Sequence, residues 1–260
     1  MRELIPDGYD AANLDAMTEA RAYQAAMREL VIEKLALRTR RGRGVVLDFG
    51  AGRGDYAAAI QPQTSMTVVG MEPDVSLHGH YPANMSVVPS LERIAAGTLD
   101  CAYSLNVLEH IEKDVRALRE LSSRCRPGAP IFLLVPANPS LWTPMDTLVG
   151  HWRRYMPDTL RATAEQAGLV VDDWGWFDRT GYFATRAYQM LYDTGMLKAK
   201  RPGSVSRRQI RCFDGLFRVA EPVFSGLHLP FGKNCWVLAR RPYTHRATLA
   251  PTAPFVPALA

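Results

Sequence analysis

The chain has 260 residues, 47% of them apolar and 22% charged, enough for a substantial core in one large domain or two small ones, and therefore globular. Cys101, Cys125, Cys212 and Cys235 form no C-x-x-C pair and no cysteine–histidine cluster at zinc spacing, so reduced, structural thiols are expected. The formal charge of +5 gathers at residues 38–43 and 198–211; such clusters suit an anionic substrate or an acidic membrane surface, with solvated loops beside helix ends the plainer reading, and the lack of interleaved aromatics argues against nucleic acid.

At the N-terminus Arg2 and Glu3 lead into a polar stretch rather than a secretory leader. No window approaches the roughly eighteen apolar residues of a membrane span, so a soluble, cytoplasmic protein is expected. Residues 13–37 carry Met17, Ala20, Tyr23, Met27, Leu30, Val31 and Leu35 at helical spacing, which predicts one or two amphipathic helices. A short apolar run at 45–49 then reads as a strand buried on both faces. Further strands are predicted at 67–71, 87–88, 101–105, 131–135, 170–177 and 235–239, and helices at 55–60, 91–95, 114–125 and 157–167. Strand alternating with helix predicts an α/β fold, a mostly parallel sheet covered on both faces. The roughly fifty residues between the last two strands, 179–231, are too long for a simple connection and carry helical patterns of their own around a basic middle. The segment after Arg241 is rich in proline and alanine and is expected to be extended or disordered.

The stretch VVLDFGAGRGDYA, residues 45–57, joins a strand to a helix through Gly50, Gly52 and Gly54. Such a turn brings backbone N–H groups against a ligand. Its G-x-G-x-G spacing differs from the dinucleotide pattern, and Asp48 beside it disfavours a pyrophosphate while suiting a cationic or zwitterionic ligand. Glu72 closes the next strand and is placed to accept hydrogen bonds from both hydroxyls of a ribose.

Together these residues resemble the class I S-adenosylmethionine-dependent methyltransferases. The similarity continues through TLDCAYSLNVLEHIEKDVRALRELSSRCRPGAPIFLLVPA, residues 98–137, which looks like the family's fourth strand, helix, proline-glycine turn and fifth strand. The resemblance implies a Rossmann-like doubly wound sheet of seven strands with the last antiparallel and inserted beside the fifth, so that 179–231 interrupts the final hairpin. It implies N-terminal helices (1–44) over the cofactor site, a binding core (45–178), a helical substrate lid (179–230), a last core strand (231–241) and a tail (242–260). It further implies S-adenosylmethionine as cofactor, with Asp48, Gly50, Gly52 and Gly54 on its methionine side, Glu72 on the ribose and Pro73 on the adenine. Ser90 and the backbone of Leu91 stand where the family often has an acid for the adenine. Asn106 and Val107 fall beside the methionine moiety, and Tyr23 either covers the cofactor or packs in the core.

Methyl transfer needs alignment and exclusion of water, and a base if the nucleophile is a hydroxyl or phenol. His110, after the fourth strand, is one candidate, or else it fixes its loop. Some quinone-pathway O-methyltransferases hold a metal with a glutamate three residues before a Glu-His pair; here that position is Asn106, leaving Glu109 and His110 alone, so no metal is expected.

A second segment, PMDTLVGHWRRYMPDTLRATAEQAGL (144–169), resembles a D-x-x-x-G-H-x-R-R-Y motif of a subset of bacterial methyltransferases and supplies Asp146, Gly150, His151, Arg153, Arg154 and Tyr155. His151 suits a base, Arg154 an anion on the substrate and Tyr155 orientation of either; alternatively Arg154 pairs structurally with Asp146 and Tyr155 caps a helix. Tyr182, Phe183, Tyr188 and Tyr192 in the insertion suggest an apolar acceptor such as a polyketide, an aromatic metabolite or a lipid-linked glycan, with Tyr182 and Tyr188 as substrate contacts. The expected activity is methyl transfer to a small-molecule hydroxyl, with N- or C-transfer, RNA or protein methylation and a non-catalytic binding role as alternatives, and a homodimer possible. A nicotinamide dehydrogenase is disfavoured by the glycine spacing and Asp48.

Overall fold

A computed structural model provides the structure, in which residues 18–42, 44–194, 206–227 and 229–243 are described. The predicted coverage by residues 1–17, the part of the basic stretch 198–211 that runs to 205, and most of the tail lie outside them. Seven strands form one sheet: β1 (Val45–Phe49), β2 (Thr67–Met71), β3 (Ser86–Val88), β4 (Cys101–Leu105), β5 (Pro130–Pro136), β6 (Val170–Phe177) and β7 (Asn234–Arg240). Their order is β3-β2-β1-β4-β5-β7-β6. The first five run parallel, whereas β7 lies antiparallel between β5 and β6, as the resemblance implies. Two apolar layers cover the faces, one around Leu47, Leu118, Ile131 and Leu160, the other around Val31, Ile60, Tyr103 and Phe132.

The predicted helical stretch at 13–37 is one helix among the described residues, α1 (Arg21–Lys34). It stops there because Ala36 takes φ 51° and the Leu37 N–H turns back to the Ile32 carbonyl. Its N-terminus has no capping side chain of its own; Asp214 supplies the acceptor, 2.8 Å from the Ala22 N–H and 3.0 Å from that of Tyr23. Such a cap is worth about 1 kcal/mol, against roughly 1.5–3 kcal/mol for each of Met27, Val31 and Ile32 buried beneath it, so packing docks the helix and the cap sets its register.

The remaining helices are α2 (Asp55–Ile60), α3 (Asp114–Arg124), α4 (Pro144–Leu148), α5 (Pro157–Gln166), α6 (Arg179–Asp193) and α7 (Arg207–Gly226). The helix expected at 91–95 is instead a single 3-10 turn, Leu91–Arg93: Ile94 is already extended, because the chain must enter β4 a few residues later. The insertion is the hairpin of α6 and α7, and α7 fastens it. Asp214 caps α1, while one turn pair further along the same face Glu221 accepts from the N–H groups of Arg179 and Thr180 at the start of α6. No described helix is long and apolar enough to cross a membrane.

Backbone in the left-handed region collects at the carboxyl ends of the strands: Gly50 after β1, Asn106 after β4, Asn138 after β5 and Asp178 after β6. Non-glycine residues there cost free energy and mark positions fixed by their surroundings. In an open α/β sheet this edge is where ligands bind.

Candidate active site

The glycine turn leaves β1 with the N–H groups of Gly50 and Ala51 both donating to the Met71 carbonyl, which ties it to the end of β2. All three glycines have positive φ, but their surroundings differ. A Cβ at Gly50 would stand 2.4 Å from Val107 Cγ2, and one at Gly54 would stand 2.7 Å from the Tyr81 ring. Only Gly52 faces open space, with nothing within 4 Å. Two of the glycines therefore admit protein side chains, and one leaves main chain bare toward a ligand. Tyr81, which fills the space over Gly54 and Gly70, carries no signal in the sequence that would have marked it.

Glu72 is almost fully buried. One carboxylate oxygen accepts from the Gly52 N–H at 2.8 Å and the other from the Asp74 N–H at 2.9 Å, so the acid bridges the turn after β1 to the turn after β2. A carboxylate has about four acceptor sites, so two remain. Burial raises its pKa, and the two N–H donors oppose that rise. Asp48 lies beneath the turn on the face shared with Tyr81 and Tyr103, and its Oδ2 is buried without a hydrogen-bond partner. Burial pushes its carboxyl up to about 7; the Tyr103 hydroxyl works the other way and the Glu72 charge adds to the rise. Pro73 is half-buried beside Glu72. Ser90 is half-buried at the start of the 3-10 turn, and the Leu91 side chain is in the core, leaving its main chain as the part that a ligand can meet.

Beyond β4, Asn106 accepts from Asn234 Nδ2 at 3.0 Å, and the Tyr23 hydroxyl donates to Asn234 Oδ1 at 3.3 Å. Tyr23 is thus packed among Phe177, Phe213 and Phe217 and reaches the site through Asn234, a residue the sequence reading passes over. Val107 is followed by a 3-10 turn, Leu108–His110. The loop after β5 folds onto that turn: the Trp152 N–H donates to the Glu109 carbonyl at 2.8 Å, and the Tyr155 hydroxyl to Asp114 Oδ2 at 2.7 Å.

This docking brings His151 against His110, ring centroids 4.7 Å apart and planes at 76°. His151 Nδ1 is 2.8 Å from Asp146 Oδ1. Asp146 is buried at 1% exposure and held by the Arg154 fork, Nε to Oδ1 at 2.8 Å and Nη2 to Oδ2 at 3.0 Å, with the Thr143 N–H and hydroxyl adding two more donors. Burial alone would raise the Asp146 carboxyl, but the hydrogen bonds from His151 and Arg154 outweigh it and hold it well below the usual carboxylate range. An ionised Asp146 fixes the proton of His151 on Nδ1 and leaves the Nε2 lone pair facing His110 and Glu109. Burial, and after it the neighbouring His151, lowers His110 to about 4, while the backbone at Val149 and Gly150 accepts from its ring. Glu109 is fully buried and neither carboxylate oxygen meets a donor in hydrogen-bond geometry; burial pushes it up to about 8, opposed by its own backbone N–H and then by the Arg154 charge.

Three sequence expectations change here. Arg154 is committed to Asp146 and to the Ala137 carbonyl, which favours its structural alternative over a hold on a substrate anion. Tyr155 is 2% exposed with its hydroxyl on Asp114, which favours a role as anchor of the loop over orientation of a ligand. Glu109 and His110 do not stand alone, because His151 joins them. In the insertion, Tyr182 packs on Phe231 and Tyr188 stacks on Tyr192, both half-buried. From the same helix Gln189 donates to the Trp142 carbonyl at 3.0 Å, and the Trp142 ring lies 6.5 Å from His151, so α6 adjoins the histidine pair through one side chain.

Residues 19–173 match the profile of a family described as the methyltransferase domain, more than half of the chain. The chain belongs to that family, the class I S-adenosylmethionine-dependent methyltransferases. The methyltransferase has the fold of a chain in the complex between the Haloferax volcanii Trm112 methyltransferase activator and its methyltransferase, at 14% identity over 93% of this chain and 99% of that one, TM-score 0.61. It also has the fold of a sarcosine dimethylglycine methyltransferase from Galdieria sulphuraria (15% identity, 84% and 86% covered, TM-score 0.54) and of a SAM-dependent methyltransferase from Archaeoglobus fulgidus (20%, 82% and 93%, TM-score 0.51). Against curated proteins the sequence finds no match. The residues at the glycine turn fit the cofactor: bare main chain at Gly52, spare acceptor capacity on Glu72 and an unsatisfied carboxylate oxygen on Asp48 meet a cationic nucleoside.

Proposed function

We propose that this methyltransferase moves a methyl group from S-adenosylmethionine to a hydroxyl of a small-molecule acceptor. When bound, the cofactor supplies an activated methyl carbon for a direct displacement. The chain's own residues have three tasks: to hold the donor, to align the acceptor and to take up a proton.

On the donor side, Gly50, Gly52 and Gly54 shape the turn, Glu72 accepts from the ribose hydroxyls and Asp48 supplies negative charge below. Pro73, Ser90 and the Leu91 main chain border the adenine, and Asn106 and Val107 border the methionine moiety. Tyr23 keeps Asn106 in place through Asn234. On the acceptor side, His151 Nε2 takes the hydroxyl proton, and Asp146 stabilises the imidazolium from Nδ1. His110 stays neutral and lines the approach. Trp142 and α6, with Tyr182 and Tyr188 on that helix, shield the acceptor from water.

The observation that carries this reading is the 2.8 Å contact between His151 and a buried, ionised Asp146, set against His110 at the strand ends. The test is mass spectrometry of candidate phenols and alcohols incubated with enzyme and S-adenosylmethionine. The expected result is a gain of one methyl on oxygen that His151→Asn slows by about 10²–10⁴-fold; methyl gain on nitrogen or carbon, or gain on oxygen undiminished in His151→Asn, contradicts the reading.

A further inference from the structure

We propose that Glu109, His110 and His151 form a three-ligand site for a divalent transition-metal ion, with zinc the best-suited class. Each residue presents one ligand atom, and the three atoms lie within 4.8 Å of one another. The separation of His151 Nε2 from Glu109 Oε1 is 3.9 Å, too long for a hydrogen bond. Bonds of about 2.0–2.1 Å in a tetrahedron place ligand atoms roughly 3.3 Å apart, so closure on an ion requires side-chain adjustments of about an ångström or less.

Glu109 makes the strongest case. It is fully buried and both of its carboxylate oxygens lack a hydrogen-bond partner. Burying a carboxyl in that state is costly, and native chains retain it only where something else meets it. The rings beside it are held as ligands are. His151 gives Nδ1 to Asp146, itself fixed by Arg154, and so turns Nε2 into the cluster. His110 gives its other edge to the backbone at Val149 and Gly150. A carboxylate or carbonyl behind each imidazole is the outer arrangement that orients metal-binding histidines. Two imidazoles favour zinc and its neighbours over magnesium or calcium. The His151 side chain remains 12% exposed, which leaves a path from solvent.

Three protein ligands leave one position open. There the ion would lower the pKa of the acceptor hydroxyl, whose proton would pass to solvent water; with the ion bound, His151 Nε2 would be its ligand, and the base role it has in the metal-free enzyme would fall to that water. This acceptor role rests on the methyl-transfer reading, whereas binding of the ion does not.

The test is calorimetric titration of the chelator-stripped full chain with zinc, beside Glu109→Gln, His151→Asn and, at an exposed position away from the cluster, His80→Asn. S-adenosylmethionine is titrated into the same preparations, so that absence of zinc binding in wild type with donor binding intact overturns this site alone. The expected result is one zinc per chain, affinity lower by on the order of 100-fold in Glu109→Gln and His151→Asn, and no change in His80→Asn. Should the two variants fail to fold, wild type loaded with cobalt(II) is expected to show the visible absorption of a four- or five-coordinate ion. No zinc binding up to about 100 μM, zinc binding that survives both substitutions, or a cobalt spectrum of the six-coordinate aquo type overturns the proposal.

Discussion

The proposed function divides the strand ends into a donor half and an acceptor half, and the two are built differently. The donor half is main chain and carboxylates: an open Gly52, Glu72 bridging two turns, and Asp48 beneath. The acceptor half is imidazole on buried acids: His110 and His151, with Asp146 behind one ring and Glu109 between them. The first is set by a turn and the strand beside it; the second exists only once the loop after β5 has docked on the turn after β4. On the proposed function, donor binding and proton handling should therefore be separable by mutation.

The largest expected effect tests that separation. His151→Asn is expected to lower kcat by about 10²–10⁴-fold, the usual worth of a positioned base or an ordered ligand, while the dissociation constant for S-adenosylmethionine stays at the wild-type value. Joint loss of both would merge the two halves. Arg154→Met comes next. It takes the guanidinium from buried Asp146 and leaves the carboxylate held by His151 and Thr143 alone, so urea denaturation is expected to show a stability loss of about 3 kcal/mol. Arg153→Met, at a half-exposed pair with Asp114, is expected to cost about 1 kcal/mol or less.

Within the donor half the glycines sharpen the comparison. Gly50→Ala drives a methyl into Val107 and is expected to cost about 1–3 kcal/mol of stability. Gly52→Ala meets no atom, so its main effect should fall on donor affinity, beyond about 1–2 kcal/mol of left-handed strain. Asp48 gives the smallest effect. Its folded-state pKa, about 7, lies above its ordinary value of 3.8, so its stabilising contribution to the ligand-free fold is present at low pH and lost as pH rises through about 7. A cationic donor favours the ionised form. Affinity for S-adenosylmethionine is therefore expected to rise roughly tenfold between about pH 6 and pH 8 while ligand-free stability falls by about 1 kcal/mol, and Asp48→Asn should flatten both slopes.

How far each half was legible follows from the same contrast. The strands could be read within a residue or two, because buried parallel strands are short apolar runs between turn residues, and β1 with its glycines is contiguous. The 3-10 turn at Leu91–Arg93 reads as a helix in the sequence, since one apolar turn looks alike in either form. Arg154 reads as a substrate contact and Tyr155 as an orienting group because polar residues in a loop suggest exposure, and only the docked loop reveals that both side chains are buried. The meeting of His151 with Glu109 and His110 spans two loops more than forty residues apart, and no local period encodes it. Asn234 was missed for the same reason: it starts a strand and carries no motif, yet it joins Tyr23 to Asn106.

The expectations for donor binding all rest on a donor pocket at the Gly52 turn that works independently of the histidine pair. Titrating S-adenosylmethionine into wild type, Gly52→Ala and His151→Asn tests it most directly. The account expects one nucleoside per chain in wild type, the same affinity in His151→Asn and much weaker binding in Gly52→Ala. Undiminished binding in Gly52→Ala, or none in wild type, would contradict it.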